Sequence, residues 1–338
     1  MKAVMTGATG FLGSYLLAEL RKSYEEIVCL ARTPRKLKAE EDDQVKVVQG
    51  DVTAPTDLMK DALVGADHLY HSAAKVGSWP KDPQRGYVQT NVDGTKTILS
   101  MATEAGVGRV VYTSSYFALG ETGVDPVTED WNVPPSFDHP YVTTKYEAGK
   151  VVERWVAEHP DSETEVVVVN PTTIVGVGMD NPVSASLVDY LNGKLPGLPG
   201  GGRTVLNFVL AESVAEGHVL AAKQGRAGQK YLLGCEDMML RDFYGMFGAK
   251  IDRKPPRKVP TFLVKLYARM LEFGRNPAMT VADFNVARRH WAYNDSKARE
   301  ELGYAPKPVI EVVEPYLTHL KYCGLLKPKV AKKLSDIL

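Results

Sequence analysis

The feature that most constrains this chain is a run of closely spaced glycines near its start, Thr6-Gly7-Ala8-Thr9-Gly10-Phe11-Leu12-Gly13. It comes directly after a short apolar run, Lys2 to Met5, and opens a stretch with helical spacing at Leu12, Leu16, Leu17 and Leu20. Strand, tight glycine turn and helix in immediate succession meet three needs of a βαβ unit that holds a dinucleotide. These are a sharp reversal, close approach of backbone to a pyrophosphate, and a helix packed hard on its strand. The helix N-terminus adds unpaired N–H groups and the positive end of its dipole. Gly7, Thr9, Gly10, Phe11, Leu12 and Gly13 are therefore expected around the phosphates, against the competing reading of a glycine turn that binds nothing.

Short apolar runs recur at 27–31, 45–48, 68–72, 109–113 and 165–169, with stretches of helical length between them, among them 141–158. Apolar strands alternating with helices predict a doubly wound α/β fold, a parallel sheet covered on both faces. After Pro171 the texture changes: Gly193 to Gly202 is dense in Gly and Pro, and the remaining chain reads as mostly helical apart from a strand candidate at 230–234. The expected organisation is a Rossmann-type cofactor domain over 1–170, with 205–233 returning to it. A smaller, mostly helical substrate lobe would take 171–204 and 234–338.

Charge and cysteine content narrow the partners. With 41 basic and 41 acidic residues the chain has no global cation excess for nucleic acid. Cys29, Cys235 and Cys323 are odd in number and far apart, which fits a reducing, cytoplasmic setting without a disulfide framework. No stretch reaches the roughly 20 apolar residues of a membrane span, and no leader is expected. The amphipathic stretch 262–273 is expected to bury one face, with a bilayer surface or a pocket wall as alternatives. The seven histidines show no HExxH spacing, and His68 and His71 would point to opposite faces of a strand, so no metal is expected.

Two features select a chemistry. The second strand candidate ends Ala31-Arg32-Thr33-Pro34-Arg35-Lys36, with no carboxylate before Glu40. A carboxylate there would accept from the free 2′-hydroxyl of NAD, whereas an arginine pairs with the 2′-phosphate of NADP. Arg32 is thus the expected phosphate clamp, with Arg35 or Lys36 assisting, and NADP(H) is favoured over NAD(H); the competing reading is a solvated basic loop. Separately, a tyrosine can donate a proton to a carbonyl oxygen if a neighbouring cation lowers its pKa, and a lysine four residues on shares its helix face. Four pairs have this spacing: Tyr141/Lys145, Tyr146/Lys150, Tyr190/Lys194 and Tyr293/Lys297. Only Tyr141 comes after Pro140 at a helix start downstream of Thr113-Ser114-Ser115 at a strand end. Tyr146 is rotated by about 140° on the same helix, and the other two fall past the sheet pattern.

With these motifs in place, the chain resembles the extended short-chain dehydrogenase/reductase superfamily, and within it the dihydroflavonol-reductase-like branch. The resemblance runs through the glycine turn, Gly50-Asp51-Val52, His71-Ser72-Ala73-Ala74, Asn91-Val92-Asp93-Gly94-Thr95, Thr113-Ser114-Ser115, Tyr141-Val142-Thr143-Thr144-Lys145, Asn170-Pro171 and the late stretch 294–304. It implies that Tyr141 is the general acid/base, that Lys145 holds the nicotinamide ribose and lowers the tyrosine pKa, and that Ser115 donates to the substrate oxygen, with Ser114 as its understudy. It further implies adenine contacts from Asp51 and Val52, contacts to the middle of the cofactor from Ala73 and Ala74, and nicotinamide-side contacts from Pro171, Thr172 and Thr173. Asn91 would support a proton path or brace the helix.

Departures from the sugar-nucleotide members bear on the reaction. Dehydratases of the superfamily carry a Thr-Asp-Glu-like triplet at the serine position, whereas Ser115-Tyr116-Phe117 offers no carboxylate. Epimerases often place an arginine on the diphosphate where Leu206 stands here, although Arg203 or Arg241 would compensate. Trp79, Tyr87, Tyr116 and Phe117 supply aromatic surface for an apolar carbonyl substrate. The expected function is NADP(H)-dependent reduction of a ketone or aldehyde, or oxidation of the alcohol. The alternatives are a nucleotide-sugar 4-epimerase and a cofactor-sensing protein without turnover. A homodimer through sheet-flanking helices, 141–158 among them, is the partner the resemblance implies.

Overall fold

A computed structural model of the chain describes residues 1–37, 42–76, 86–179, 182–274 and 279–335. Each early apolar run becomes a strand: β1 (Lys2–Thr6), β2 (Glu26–Ala31), β3 (Val45–Gln49), β4 (His68–His71), β5 (Arg109–Thr113) and β6 (Glu165–Pro171). Three shorter strands come next, β7 (Thr173–Val175), β8 (Leu198–Pro199) and β9 (Val205–Leu210), and then β10 (Lys230–Leu233), β11 (Glu236–Met239) and β12 (Lys258–Val259). Seven strands form one parallel sheet in the order β10-β6-β5-β4-β1-β2-β3. The order reverses between β1 and β4, the crevice at which doubly wound sheets bind their ligands.

Alternation along the strands explains how both faces are covered. Ala3, Met5, Ile27, Cys29, Val167 and Val169 point into one apolar layer beneath α1 (Phe11–Leu20), while Val4, Val28, Leu30, Val166 and Val168 point into the other. The second layer is closed by α2 (Asp57–Leu63), α3 (Gly94–Glu104) and α4 (Pro140–Glu158). After α5 (Pro182–Leu191), α6 (Ala211–Gln224) packs on the first face beside α1, carrying Val214, Ala215 and Val219 into that layer. With both faces buried, the strands need no polar alternation, which is why they read as continuous apolar runs.

The segment expected to return to the sheet does so only in part. Helix α6 and β10 join the main fold, but β9 lies in a separate three-stranded sheet, antiparallel to β11 and parallel to β7. A third apolar cluster surrounds it, drawing on α7 (Leu240–Ala249) and, beyond α8 (Thr261–Leu271), α9 (Val281–Ala287) and α10 (Ser296–Leu302), on α11 (Val313–Tyr322) and α12 (Pro328–Ser335). Helix α8 departs from expectation. Only Ala268 within it is buried, and Phe262, Leu263, Leu266, Tyr267 and Met270 are exposed. Among the described residues no helix is long and apolar enough to cross a membrane.

Candidate active site

The glycine turn sits at the C-terminal end of β1, where the backbone must reverse under a neighbouring strand. Gly7 adopts φ +82, and a Cβ on it would lie 2.8 Å from the Ala73 nitrogen and the Ser72 carbonyl carbon. The two strand ends are tied: Ser72 Oγ donates to the Thr6 carbonyl at 3.0 Å, and the Ala73 N–H donates to Thr6 Oγ1 at 3.1 Å. A Cβ on Gly13 would stand 2.0 Å from the Gly7 carbonyl oxygen, so the helix is seated against the turn itself. Gly10 caps α1 without any side-chain hydrogen bond, and the first turn carries no acidic residue. Thr9 and Gly10 are exposed, Phe11 and Leu12 half-buried. This is a concave backbone cradle at an open helix N-terminus, and it fits an anionic dinucleotide.

Around the cradle the expected contacts are unevenly placed. Arg32 stands directly after β2, is exposed and forms no ion pair among the described residues. Asp51 is engaged locally, its Oδ1 accepting from the Thr53 N–H at 2.9 Å and hydroxyl at 2.8 Å. Val52 is buried and packs so closely on α3 that a Cβ on Gly94 would lie 2.7 Å from it. Ala73 and Ala74 lie just past β4 at the crevice, half-buried. Pro171 ends β6 beside Leu233, the Thr172 N–H donates to the Leu233 carbonyl at 3.2 Å, and Thr173 Oγ1 donates to the Tyr116 hydroxyl at 3.4 Å. Trp79 lies outside the described residues.

The reactive groups converge one strand further along. Ser115 leaves β5 in an extended conformation, and its Oγ accepts from the Phe117 N–H at 3.3 Å. Ser114 continues the sheet edge, its N–H donating to the Val169 carbonyl at 2.8 Å. Tyr141 stands in the first turn of α4, which Pro140 starts and His139 caps through Nδ1, accepting from the Val142 N–H at 3.4 Å. Burial pushes the Tyr141 hydroxyl up to about 12; the hydrogen bond with the Ser115 side chain works against that shift. One turn on, Lys145 is buried, donates to the Thr113 carbonyl at 2.9 Å and lies 5.5 Å from the Tyr112 ring centre. Burial pulls its pKa down to about 8.

In this arrangement the expected lowering of the tyrosine pKa by Lys145 is not what prevails: burial holds it up. The ammonium is directed at a backbone carbonyl and is itself disfavoured by burial, so desolvation of the phenol prevails. For Asn91 the structure shows a brace: its amide donates to Thr144 Oγ1 on α4 at 3.0 Å and to the Lys75 carbonyl at 3.1 Å, and its Oδ1 accepts from the Lys75 N–H at 2.7 Å. The other tyrosine–lysine pairs lie elsewhere. Tyr146 has Lys150 over its ring at 5.5 Å, Tyr190 donates to the Arg253 and Lys254 carbonyls, and Tyr293 donates to the Tyr116 and Gly120 carbonyls.

Of the aromatic wall beside Tyr141, the sequence pointed to Tyr116 and Phe117 but not to Trp291 or Phe137. The Phe117 ring stands perpendicular to Tyr141 at 5.9 Å, and Trp291 packs edge-on against Phe117 at 4.8 Å and Tyr116 at 5.4 Å. Phe137 extends the wall, with Arg289 over its ring at 4.0 Å. Trp291 arrives from the far end of the sequence by bridging to Leu206 on β9. Its only signal was its place just ahead of the late motif at 294–304. Leu206 is buried in that bridge, while Arg203 and Arg241 line a separate pocket of about 320 Å³ with Lys258. Asn170 donates to the Ser115 carbonyl at 2.9 Å, a second fixing contact that sequence did not reveal. His68 bonds Tyr24 and His71 bonds Thr6, so the two do not share a site, and no metal-binding cluster occurs among the described residues.

Known proteins resemble this chain in sequence and in fold. Residues 3–234 match the family model described as the NAD dependent epimerase/dehydratase family. The chain is 28% identical to the putative dihydroflavonol 4-reductase of Synechocystis sp. over 318 residues, 88% of each protein. It is 29% identical to sterol demethylase protein B of Methylococcus capsulatus, over 90% of this chain and 94% of that one. Among solved structures, that of gox2253 superimposes with a TM-score of 0.80 at 30% identity, covering 96% of this chain and 99% of the other.

Proposed function

The chain belongs to the NAD-dependent epimerase/dehydratase family, and we propose that within it the protein is an NADP(H)-dependent carbonyl reductase or alcohol dehydrogenase. The observation that carries this reading is Tyr141, kept protonated by burial, hydrogen-bonded with Ser115 and edged by the Phe117 ring with Trp291 packed behind it. A bound nicotinamide would supply the hydride for the carbonyl carbon. Ser115 polarises the carbonyl oxygen by donating to it, and Tyr141 then delivers its proton to that oxygen. A phenol held near 12 keeps its proton across the physiological range, which favours the reductive direction. Lys145 sits one turn below to hold the ribose, Asn91 braces α4, and the Gly7–Gly13 cradle takes the pyrophosphate.

Arg32, exposed and without an ion-pair partner among the described residues, is the group that would select the 2′-phosphate of NADP. Dehydration lacks a carboxylate in Ser115-Tyr116-Phe117, and a sugar-diphosphate epimerase would meet buried Leu206 where a cation is wanted. Residues 1–170 with α6 and β10 would form the cofactor lobe and the remainder the substrate lobe, in a cytoplasmic protein that pairs through α4.

The test is a paired screen. NADPH fluorescence should be consumed with apolar ketones and aldehydes, while nucleotide sugars should show no interconversion; the opposite pattern overturns the reading. Arg32→Asp should weaken NADPH binding roughly tenfold or more, the scale of a lost charge-assisted contact, and leave NADH binding nearly unchanged. Unchanged NADPH affinity would remove the clamp assignment.

A further inference from the structure

Helix α8 turns its apolar side away from the protein. At the helical repeat, Phe262, Leu266, Met270, Leu263 and Tyr267 fall within one arc of roughly 140°, and Phe273 follows in the turn just past the helix. Phe262 is 70% exposed, Met270 63% and Phe273 91%. The opposite side is seated: Ala268 is buried, and Glu272 Oε1 accepts from the Val281 N–H at 2.8 Å, fastening the end of α8 to the start of α9. A contiguous apolar patch on a well-anchored helix marks an interaction surface rather than a loose end.

The charges around the arc indicate what covers it. Lys265 and Arg269 are exposed and border the arc on the Phe262 side; Arg257 and Lys258 enter the helix just before Pro260. None of these four, nor Lys254, forms an ion pair among the described residues. The nearby acids are engaged, Asp252 with Lys333 at 2.6 Å and Glu272 with the Val281 N–H. An apolar arc edged by free cations is the form of a helix lying in the headgroup boundary of an anionic bilayer. A second copy docked antiparallel on the same face, about a twofold axis perpendicular to the helix, would bring the Lys265 and Arg269 edges of the two helices together, a like-charge contact. We propose that α8 is a peripheral membrane anchor, inserting Phe262, Leu266, Met270 and Phe273 among acyl chains while the flanking lysines and arginines meet anionic headgroups.

An anchored α8 also brings the active site close to the bilayer. Helix α9, fastened to α8, reaches the site twice: Asp283 faces His139 Nε2 at 3.4 Å at the cap of α4, and the Val286 carbonyl accepts from Trp291 Nε1 at 3.2 Å. The aromatic wall thus lies one helix from the lipid, a short path for an apolar carbonyl compound. That path rests on the function proposed above, whereas the membrane contact does not.

Vesicle co-sedimentation tests the anchor on the full chain. Wild type should bind vesicles of mixed phosphatidylcholine and phosphatidylglycerol, bind phosphatidylcholine alone weakly, and release as salt rises. Lys265→Glu with Arg269→Glu should weaken binding about tenfold or more. Leu266→Ser with Met270→Ser, both on the exposed arc, should abolish it with thermal unfolding unchanged. Absence of binding to the anionic vesicles overturns the proposal, as does binding that ignores both the lipid charge and the charge reversal. So does a concentration-dependent dimer that the serine variant dissolves, which would make a second copy the occupant. Turnover of a water-soluble carbonyl compound, measured beside the vesicle assay, reports on the catalytic reading separately.

Discussion

At the scale of single residues, the site is governed by how burial treats two ionisable groups one helical turn apart. Burial disfavours the charged form of each, so Tyr141 moves up to about 12 and Lys145 down to about 8. Tyr141→Phe should therefore lower kcat for carbonyl reduction by about 10²- to 10⁴-fold, the typical contribution of a positioned proton donor. NADPH affinity, read by fluorescence, should hold. If turnover stays near normal, the acid lies elsewhere and Tyr146 is the next tyrosine to test. Lys145 makes a sharper statement about pH. Its positive charge is present below about 8 and is lost above it, so reductive kcat/KM should fall as pH rises through that value, while the tyrosine limb lies far beyond. Lys145→Arg keeps a charge that does not titrate in this range and should remove the limb from the pH–rate profile, whatever it does to the maximal rate. A limb that persists in the variant would mean another group sets it.

At the scale of elements, function depends on how closely a helix can sit on a turn. The contact of Gly13 with the Gly7 carbonyl leaves no space for a methyl group, because the obstructing atom is backbone and has no rotamer to change. Gly13→Ala should shift α1 away from β1, destabilise the fold by about 1–3 kcal/mol by overpacking, and weaken dinucleotide binding beyond that loss. Urea unfolding and NADPH titration together check this; a variant with unchanged affinity would show that the cradle is not where the phosphates sit. Helix α4 depends on its neighbours in the same way. Pro140 and the His139 cap set its first turn, and Asn91 holds Thr144 from the side, so Tyr141 and Lys145 are presented on a helix fixed at two points.

At the scale of the whole molecule, two buried histidines join elements across the sheet. His71 on β4 bonds Thr6 on β1, and His218 on α6 bonds Thr113 on β5. Burial pulls them down to about 3 and about 4, so the unfolded chain binds protons that the folded chain cannot between about 6.5 and those values. Stability should be full above about pH 6.5 and fall as pH drops towards 4, each group costing on the order of 3 kcal/mol or more when the window is crossed. Unfolding measured at stepped pH checks the slope. His218→Asn should flatten part of it, and an unchanged acid slope would assign the loss to carboxylates instead. The same distinction between local and distant causes separates what was legible from what was not. The sequence by itself determined the parallel sheet, the glycine turn and the position of Tyr141 in the first turn of a proline-started helix. Strand periodicity, glycine spacing and a proline-started helix are local patterns with local causes. Only the tertiary structure decided that β9 forms its own sheet, that Trp291 reaches Phe117, that Lys145 is aimed at Thr113 rather than tuning the tyrosine, and that α8 shows its apolar side to solvent. Each of these depends on which distant segments become neighbours, and hence on desolvation and packing that no single stretch of chain contains.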